Sequence, residues 1–174
     1  MRLLVLLAAL VSLPASAQVE VRALVNAGYD AGYRAASVGL GMEIGWRPAG
    51  SPVALALRPT ADVVFVGSQA SADPLIGLGD EPMGWPGGSR YEGNVVRVGA
   101  EAVARLATLA QVAPYLKAGI VGEYEDLMIG DVRTAYFEPG AVAGAGVGLG
   151  RTYVEGTLGF GDASRSRIAV GLRF

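Results

Sequence analysis

Apolar and polar residues alternate with a period of two along most of the chain after residue 17. In residues 18–29 (QVEVRALVNAGY), valines, alanines and Tyr29 share one face, while charged and polar residues share the other with Leu24 and Gly28. The last nine residues (SRIAVGLRF) repeat the pattern up to Phe174, with Arg167 and Arg173 opposite the large apolar residues. Such alternation indicates β-strands with one apolar face and one polar face. The chain is therefore predicted to be all-β.

Eight segments follow this pattern, and the connections between them are unequal. Glycine- and proline-rich residues 67–90 and the run 125–137 are predicted as loops. Pro59 predicts a bulge or a break in the third strand, because proline cannot donate to a ladder. Short links joining strands 2–3, 4–5 and 6–7, with longer links joining strands 1–2, 3–4 and 5–6, predict a closed, antiparallel, up-and-down, eight-stranded transmembrane β-barrel. The predicted strands are residues 18–29, 35–47, 53–66, 94–106, 114–124, 139–150, 152–160 and 166–174.

The first 17 residues have the composition of a secretory signal peptide. Arg2 precedes an apolar run over residues 3–13, and ASA at residues 15–17 has the small-x-small pattern of a cleavage site. We therefore expect cleavage after Ala17 and a barrel domain over residues 18–174. A retained membrane anchor is the alternative, but the apolar run is short. Residue 18 is not cysteine, so we do not expect a lipoprotein.

Charges of both signs interleave on the polar face, and this face has two possible environments. In a transmembrane barrel the charges point inward and pair, with glycines making room, because a charge facing lipid costs about 2–4 kcal/mol near the midplane. In a soluble secreted barrel of lipocalin type, the charges face water and the apolar face lines a ligand cavity. The absence of cysteine and the continuous Ala/Val-rich face favour the transmembrane form. The predicted interior ion-pair network comprises Glu20, Arg22, Glu43, Arg58, Asp62, Arg97, Glu101, Arg105, Lys117, Glu123, Glu155, Arg167 and Arg173. Tyr29, Trp46, Tyr124, Phe160 and Phe174 fall near predicted strand ends, as interfacial aromatic residues do.

Composition removes most catalytic and cofactor chemistry. The chain has no histidine and no cysteine, so the usual general base and thiolate chemistry are absent. We expect no enzyme activity, no cofactor and no metal site. A formal charge of −2 gives no reason to expect nucleic acid as a partner. The glycine run at residues 144–150 (GAGVGLG) lacks the Lys-Ser/Thr of a phosphate-binding loop and is predicted as one face of a strand.

The predicted loops contain acids and apolar residues without a defined motif. The acids are either solvated, or gather calcium or bridge cations to lipopolysaccharide. The apolar residues either seal the barrel mouth or contact the outer leaflet or a partner. The acids are Asp73, Asp80, Glu81, Glu125, Asp126 and Asp131, and the apolar residues are Leu75, Ile76, Met83 and Trp85.

The chain resembles the small eight-stranded outer-membrane β-barrel families, which include the transmembrane domain of outer membrane protein A and the outer membrane protein X and W groups. The resemblance rests on the ASA-terminated leader, VAPYLKAGIVGEY, GAVAGAGVGLG and the terminal RIAVGLRF, and it covers residues 18–174. It implies that a terminal aromatic residue, here Phe174, is recognised by the outer-membrane assembly machinery.

These features together predict an integral protein of a Gram-negative-type outer membrane with a structural, envelope or surface-interaction role. The expected partners are outer-membrane lipid, lipopolysaccharide and the assembly machinery. We expect a monomer with both termini in the periplasm. A narrow, porin-like pore or transporter for small hydrophobic molecules or a weak ion current is the alternative, followed by a soluble binder.

Overall fold

Eight antiparallel strands form a closed barrel in which each strand pairs with its neighbours in sequence and β8 pairs with β1. The computed structural model describes residues 18–70, 90–106, 112–129, 132–161 and 166–174. The strands are β1 (Gln18–Asp30), β2 (Ala35–Arg47), β3 (Val53–Ala70), β4 (Arg90–Leu106), β5 (Val112–Ile129), β6 (Val132–Leu149), β7 (Thr152–Gly161) and β8 (Arg167–Arg173). The predicted all-β, up-and-down, eight-stranded barrel is confirmed. No helix in the described part of the chain is long and apolar enough to cross a membrane.

One predicted loop is largely strand, and the other is shortened at both ends. Residues 125–129 and 132–137 form the ends of β5 and β6, which pair as far as Ile129 and Val132. The loop prediction there was wrong because the alternation continues through these residues: Glu125 and Leu127 are buried, whereas Met128 is exposed. Residues 67–70 belong to β3, and β4 begins at Arg90, so only residues 71–89 separate these strands. The predicted signal peptide and residues 71–89 lie outside the described residues.

Pro59 lies within a continuous β3, so the strand has no break there. Its partner in β4 is Ala100, but the ladder with β2 is interrupted beside it: pairing runs to Gly41–Thr60 and resumes at Ile44–Leu57 in the same register. The register shift in β3 lies instead between Val66 and Gln69. The missing N–H of Pro59 thus interrupts the ladder with β2 but not the ladder with β4.

Barrel closure involves a large stagger. Stepping from Arg167 through successive partners leads around the ring to Glu20, by way of Thr157, Gly144, Lys117, Val103, Ala56 and Gly45. Across the closing seam Arg167 pairs with Asp30, ten residues farther along β1 than Glu20. An eight-stranded barrel with this offset has strands tilted by about 40° and room inside for side chains or one small ligand. The seam therefore joins β8 to Leu24–Asp30, the second half of β1.

We call the end of the barrel that carries residues 18 and 174 the terminal end, and the opposite end, where β3 reaches residue 70, the loop end. An apolar cluster fills the interior at the loop end and includes Tyr33, Val64, Val95 and Leu127. A smaller cluster of Ala56, Val103 and Tyr115 lies toward the terminal end. Between these clusters, the interior is charged.

Candidate functional site

The charged face of the sheet points into the barrel. Arg97 and Glu101 are each only 6% exposed, and Arg105 is half-buried. Their neighbours Val96 and Val98 point outward and are 41% and 51% exposed. This is the arrangement that a transmembrane barrel requires and the reverse of the lipocalin-type alternative.

A first group of ion pairs is centred on Arg58, which is 1% exposed. Its guanidinium donates to Glu43 at 3.0 Å and to Glu155 at 2.8 Å. The Lys117 ammonium donates to Glu155 and to Glu101, both at 2.8 Å. These five side chains come from five different strands, so together they connect opposite walls of the barrel. We call them the Arg58 cluster.

Two further side chains extend the Arg58 cluster toward the terminal end. Arg105 contacts Glu43 at 2.7 Å, and the Tyr115 hydroxyl donates to Glu155 at 2.8 Å. The Tyr115 ring also lies 5.3 Å from the Arg58 guanidinium carbon and 5.6 Å from that of Arg105. Such cation–π contacts add to the ion pairs in a desolvated interior.

A second group of ion pairs lies closer to the loop end. Arg97 contacts Asp30 at 2.7 Å and also pairs with Glu123. Asp30 is fully buried, and its other oxygen accepts from the backbone N–H groups of Gly32 at 3.0 Å and Tyr33 at 3.1 Å. Asp30 therefore holds the Arg97 guanidinium in the interior and also stabilises the β1–β2 turn.

A neighbouring pair crosses the seam of the barrel. Arg167 in β8 donates to Asp62 in β3 at 2.8 Å and also to the Asn26 side chain in β1. The Arg167 pair and the second group lie side by side near the loop end. The carboxylates there outnumber the two cations, Arg97 and Arg167.

Eleven of the thirteen predicted network residues lie in these groups or beside them. Glu20 and Arg22 do not, so the prediction that they belong to the interior network was wrong. They pair with each other at 2.6 Å, with side chains 60% and 33% exposed. The stagger explains this, because the first residues of β1 extend beyond the seam with β8 at the terminal end. Arg173 is buried, but its side chain contacts no carboxylate in the described part of the chain.

Several interior polar residues lie outside the predicted network. Asp30 follows the predicted first strand and Glu125 lies in a predicted loop, yet both are buried, and Glu125 accepts from the Tyr33 hydroxyl. Asn26 was placed on the polar face but not in the network. Extending the alternation by a few residues at each strand end would have identified Asp30 and Glu125. No sequence signal pointed to Tyr33, which lies in a turn.

Inward-facing glycines provide the space for the long side chains. A Cβ on Gly39 would overlap the Asp62 carboxylate, and one on Gly148 would overlap the Arg173 guanidinium. A Cβ on Gly146 would lie 2.5 Å from the Tyr115 hydroxyl oxygen. The run GAGVGLG is thus strand, and its inward glycines accommodate side chains from other strands.

Three carboxylates near the loop end have the spacing of a cation site. Glu123, Glu125 and Glu138 each place one oxygen within 4.8 Å of the others. Glu123 already pairs with Arg97, and Tyr33 donates to both Glu123 and Glu125. These contacts offset part of the negative charge that a cation would neutralise.

Asp126, one of the predicted loop acids, is exposed on β5. Its two oxygens accept from Arg133 at 2.7 and 2.5 Å, and this hydrogen-bonded pair lowers the pKa of Asp126 below its ordinary value and raises the pKa of Arg133. Asp73, Asp80, Glu81 and Asp131, and the predicted loop residues Leu75, Ile76, Met83 and Trp85, lie outside the described residues.

Four of the five predicted interfacial aromatic residues are exposed on the outer face, whereas Trp46 is half-buried and lines a cavity at the terminal end. Tyr29 and Phe160 are about half-exposed near the loop end, and Phe174 is 67% exposed at the terminal end beside the strand pair that carries Trp46. Tyr124 also faces outward, but it lies five residues before the end of β5 because that strand extends to Ile129.

Comparison with known proteins gives matches at the level of fold. No protein-family model and no curated protein matches the chain. The N-terminal β-barrel domain of Pseudomonas aeruginosa OprF matches with a TM-score of 0.52 and 15% identity, covering 90% of this chain and 100% of that domain. A de novo designed transmembrane β-barrel matches with a TM-score of 0.43 and 15% identity, covering 88% and 94% of the two chains. The attachment invasion locus protein Ail of Yersinia pestis matches with a TM-score of 0.45 and 11% identity, covering 91% and 97%. The chain has the fold of the small eight-stranded outer-membrane β-barrels.

Proposed function

We propose that this chain is an integral outer-membrane β-barrel protein with a structural or surface-interaction role in the cell envelope. The observation that carries the proposal is its inverted polarity. Among the described residues, 29 large apolar side chains are exposed, whereas 14 polar or charged side chains are buried against 13 buried apolar ones. Water would disfavour so large an exposed apolar band, while lipid would favour it.

The axial arrangement of the strands supports an orientation. At the loop end, β5 and β6 continue beyond the outward-facing Tyr124 and Phe137 and carry the exposed Asp126–Arg133 pair. Aromatic residues mark bilayer boundaries, and exposed ion pairs belong outside them. We place the loop end on the outer surface beside lipopolysaccharide, and both termini in the periplasm after cleavage near Ala17.

The proposal includes no catalysis. The sequence has no histidine and no cysteine. The carboxylates of the Arg58 cluster each lie within hydrogen-bond or ion-pair distance of a cation, so all of them are already engaged in contacts within the barrel. The interior thus has the character of a structural core that replaces an apolar one.

Membrane fractionation tests the proposal. The protein should be recovered with outer membranes, resist extraction by salt and migrate faster on gels before heating than after. The Leu116→Arg variant places a charge on the outward face and should reduce the folded fraction. Recovery of the wild-type protein in the aqueous fraction without detergent would contradict the proposal.

The pore alternative makes a separate prediction. An ion current would have to pass the Arg58 cluster, whose charges are paired across the interior. Planar-bilayer conductance of the wild type, Glu101→Gln and Arg97→Gln distinguishes the roles: we expect no steady current from the wild type. A steady wild-type current altered by either substitution would favour transport.

Phe174 is proposed as the residue through which the assembly machinery recognises the chain. Its backbone N–H donates to Ala23 at 3.0 Å, while its ring projects outward. Deleting Phe174 should lower the amount assembled in cells but leave refolding into detergent nearly unchanged. Equal losses in cells and in detergent would indicate a role in stability instead.

A further inference from the structure

The terminal end of the barrel contains a cavity of about 630 Å³. Small residues form part of its wall, among them Gly45, Ala54, Ala56, Ala113 and Gly148. Charged side chains, including Glu43, Arg105 and Arg173, form much of the rest. Its volume lies in the range of sites for small molecules.

A buried cation without a counter-ion lines this cavity. Arg173 is 4% exposed, and its Nε and Nη2 atoms have no hydrogen-bond acceptor. The other buried cations of the described residues have carboxylate partners: Arg58, Arg97, Lys117 and Arg167 each contact an acid within 3.0 Å. Arg173 is thus the exception among them.

The aromatic contacts of Arg173 do not replace an anion. Its guanidinium carbon lies 4.9 Å from the Tyr153 ring and 5.4 Å from the Tyr115 ring. An aromatic ring attracts the positive charge but does not replace a hydrogen-bond acceptor, so the Nε and Nη2 donors remain unsatisfied. An unsatisfied buried charge is costly, so an acceptor at this position would be stabilising.

Residues near Arg173 add positive charge rather than neutralise it. Arg105 lines the same cavity, and its Nε also lacks an acceptor. The nearest acid of the cavity wall, Glu43, is already held by Arg105 at 2.7 Å and by Arg58 at 3.0 Å. Glu20, at the mouth, is held by Arg22. Two guanidinium groups with free donors thus face a cavity in which both acids are engaged.

We propose that the terminal-end cavity is a binding site for a small oxyanion, a phosphate or carboxylate group, held by Arg173 and Arg105. Guanidinium groups present paired donors that match the oxygens of such anions. Gly148 is part of the site because a side chain there would displace the Arg173 guanidinium. The shared chemistry fits a dissolved organic phosphate and a phospholipid headgroup alike.

Fluorescence of Trp46 provides a test, because this residue lines the cavity. The chain has two tryptophans, so a Trp85→Phe background leaves Trp46 as the sole reporter. Protein purified in a nonionic detergent is titrated with sodium phosphate and with glycerol phosphate at constant ionic strength. We expect a saturable change in fluorescence and a higher urea midpoint in the presence of the bound anion.

Three variants decide where the anion binds. Arg173→Gln should weaken binding by about ten-fold or more, as expected for loss of a charge-assisted pair. Ala54→Phe fills the cavity without removing a charge and should abolish binding, which keeps the test decisive if Arg173→Gln does not fold. Arg22→Gln is the matched control, because Arg22 lies at the same mouth but is already paired, and it should bind nearly as the wild type does.

The source of the anion is distinguished in vesicles. A Trp46 response to phosphatidylglycerol vesicles but not to dissolved phosphates, absent in Ala54→Phe, would assign the site to a lipid headgroup. A response to dissolved phosphates would assign it to a soluble oxyanion. The proposal is overturned if no probe gives a saturable response, or if the response survives in Ala54→Phe or is lost equally in Arg22→Gln.

Discussion

Gly146→Ala tests whether the inward glycines exist to make room for the ion-paired core. The new Cβ would lie 2.5 Å from the Tyr115 hydroxyl oxygen and 2.7 Å from the Val154 backbone oxygen. Neither can easily retreat, because Tyr115 is 3% exposed, donates to Glu155 at 2.8 Å and is surrounded by three arginines.

The expected change follows from two opposing effects. Overpacking a well-filled interior costs about 1–3 kcal/mol, and displacing Tyr115 from Glu155 weakens a hydrogen bond to a charged group, which contributes about 1.5–3 kcal/mol. Replacing glycine by alanine in a strand gains about 0.5–1 kcal/mol. We expect Gly146→Ala to lower the free energy of unfolding by about 1–3 kcal/mol, since the ring can move part of the way.

Gly45→Ala is the matched control. Gly45 faces the same interior, but its nearest atoms would lie 3.7 to 3.9 Å from the added Cβ, which is ordinary contact. This variant should be more stable than the wild type by about 0.5–1 kcal/mol. The two substitutions are thus expected to have opposite signs.

Urea unfolding in lipid vesicles, followed by heat-modifiable gel migration, measures both variants. In a Tyr115→Ala background, Gly146→Ala should lose the part of its penalty that comes from the Tyr115 ring, while the contact with the Val154 backbone oxygen remains. If Gly146→Ala is as stabilising as Gly45→Ala, the inward glycines are not needed for space and the reasoning fails.

The remaining predictions concern the core, the outer face and one exposed pair. Arg58→Met should destabilise the barrel by about 3–5 kcal/mol in urea unfolding, because it removes the buried cation shared by Glu43 and Glu155 and leaves only Arg105 and Lys117 to hold these acids, whereas Arg22→Gln should change it by less than about 1 kcal/mol. Leu116→Arg, at a position 67% exposed on the outer face, should cost about 2–4 kcal/mol in vesicles if it lies near the bilayer midplane. If Leu116→Arg costs less in vesicles than an arginine substitution at a water-exposed position, the assignment of Leu116 to the lipid-facing surface is contradicted. Arg133→Gln should raise the pKa of Asp126 toward its ordinary value, measured by NMR titration; because the pair lowers this pKa, its effect is present at neutral pH and is lost as the pH falls through the folded-state value.

Alternation of residue types determined most of the fold from sequence. A period of two fixes which residues share a face, and eight such segments with mainly short links leave few topologies. The charges on one face then predicted that this face points into a membrane barrel. Arg97, Glu101 and Lys117 could therefore be assigned to the interior without knowledge of their partners. The predicted strands ended too early, at residues 29 and 124, so the same rule did not include Asp30 and Glu125.

Partner choice in the interior was decided by tertiary structure. Arg58 pairs with Glu43 and Glu155, which lie 15 and 97 residues away, and Arg167 pairs with Asp62, 105 residues away. These contacts depend on the ten-residue stagger around the ring, which sets the height of each strand against the others. The stagger results from the pairing of all eight strands around the ring, so no single segment of the sequence encodes it. It places Glu20 and Arg22 outside the buried network, joins β8 to the second half of β1, and leaves Arg173 at a cavity whose acids are paired with other arginines. The sequence by itself determined which side chains face inward; only closure of the barrel decided which of them meet.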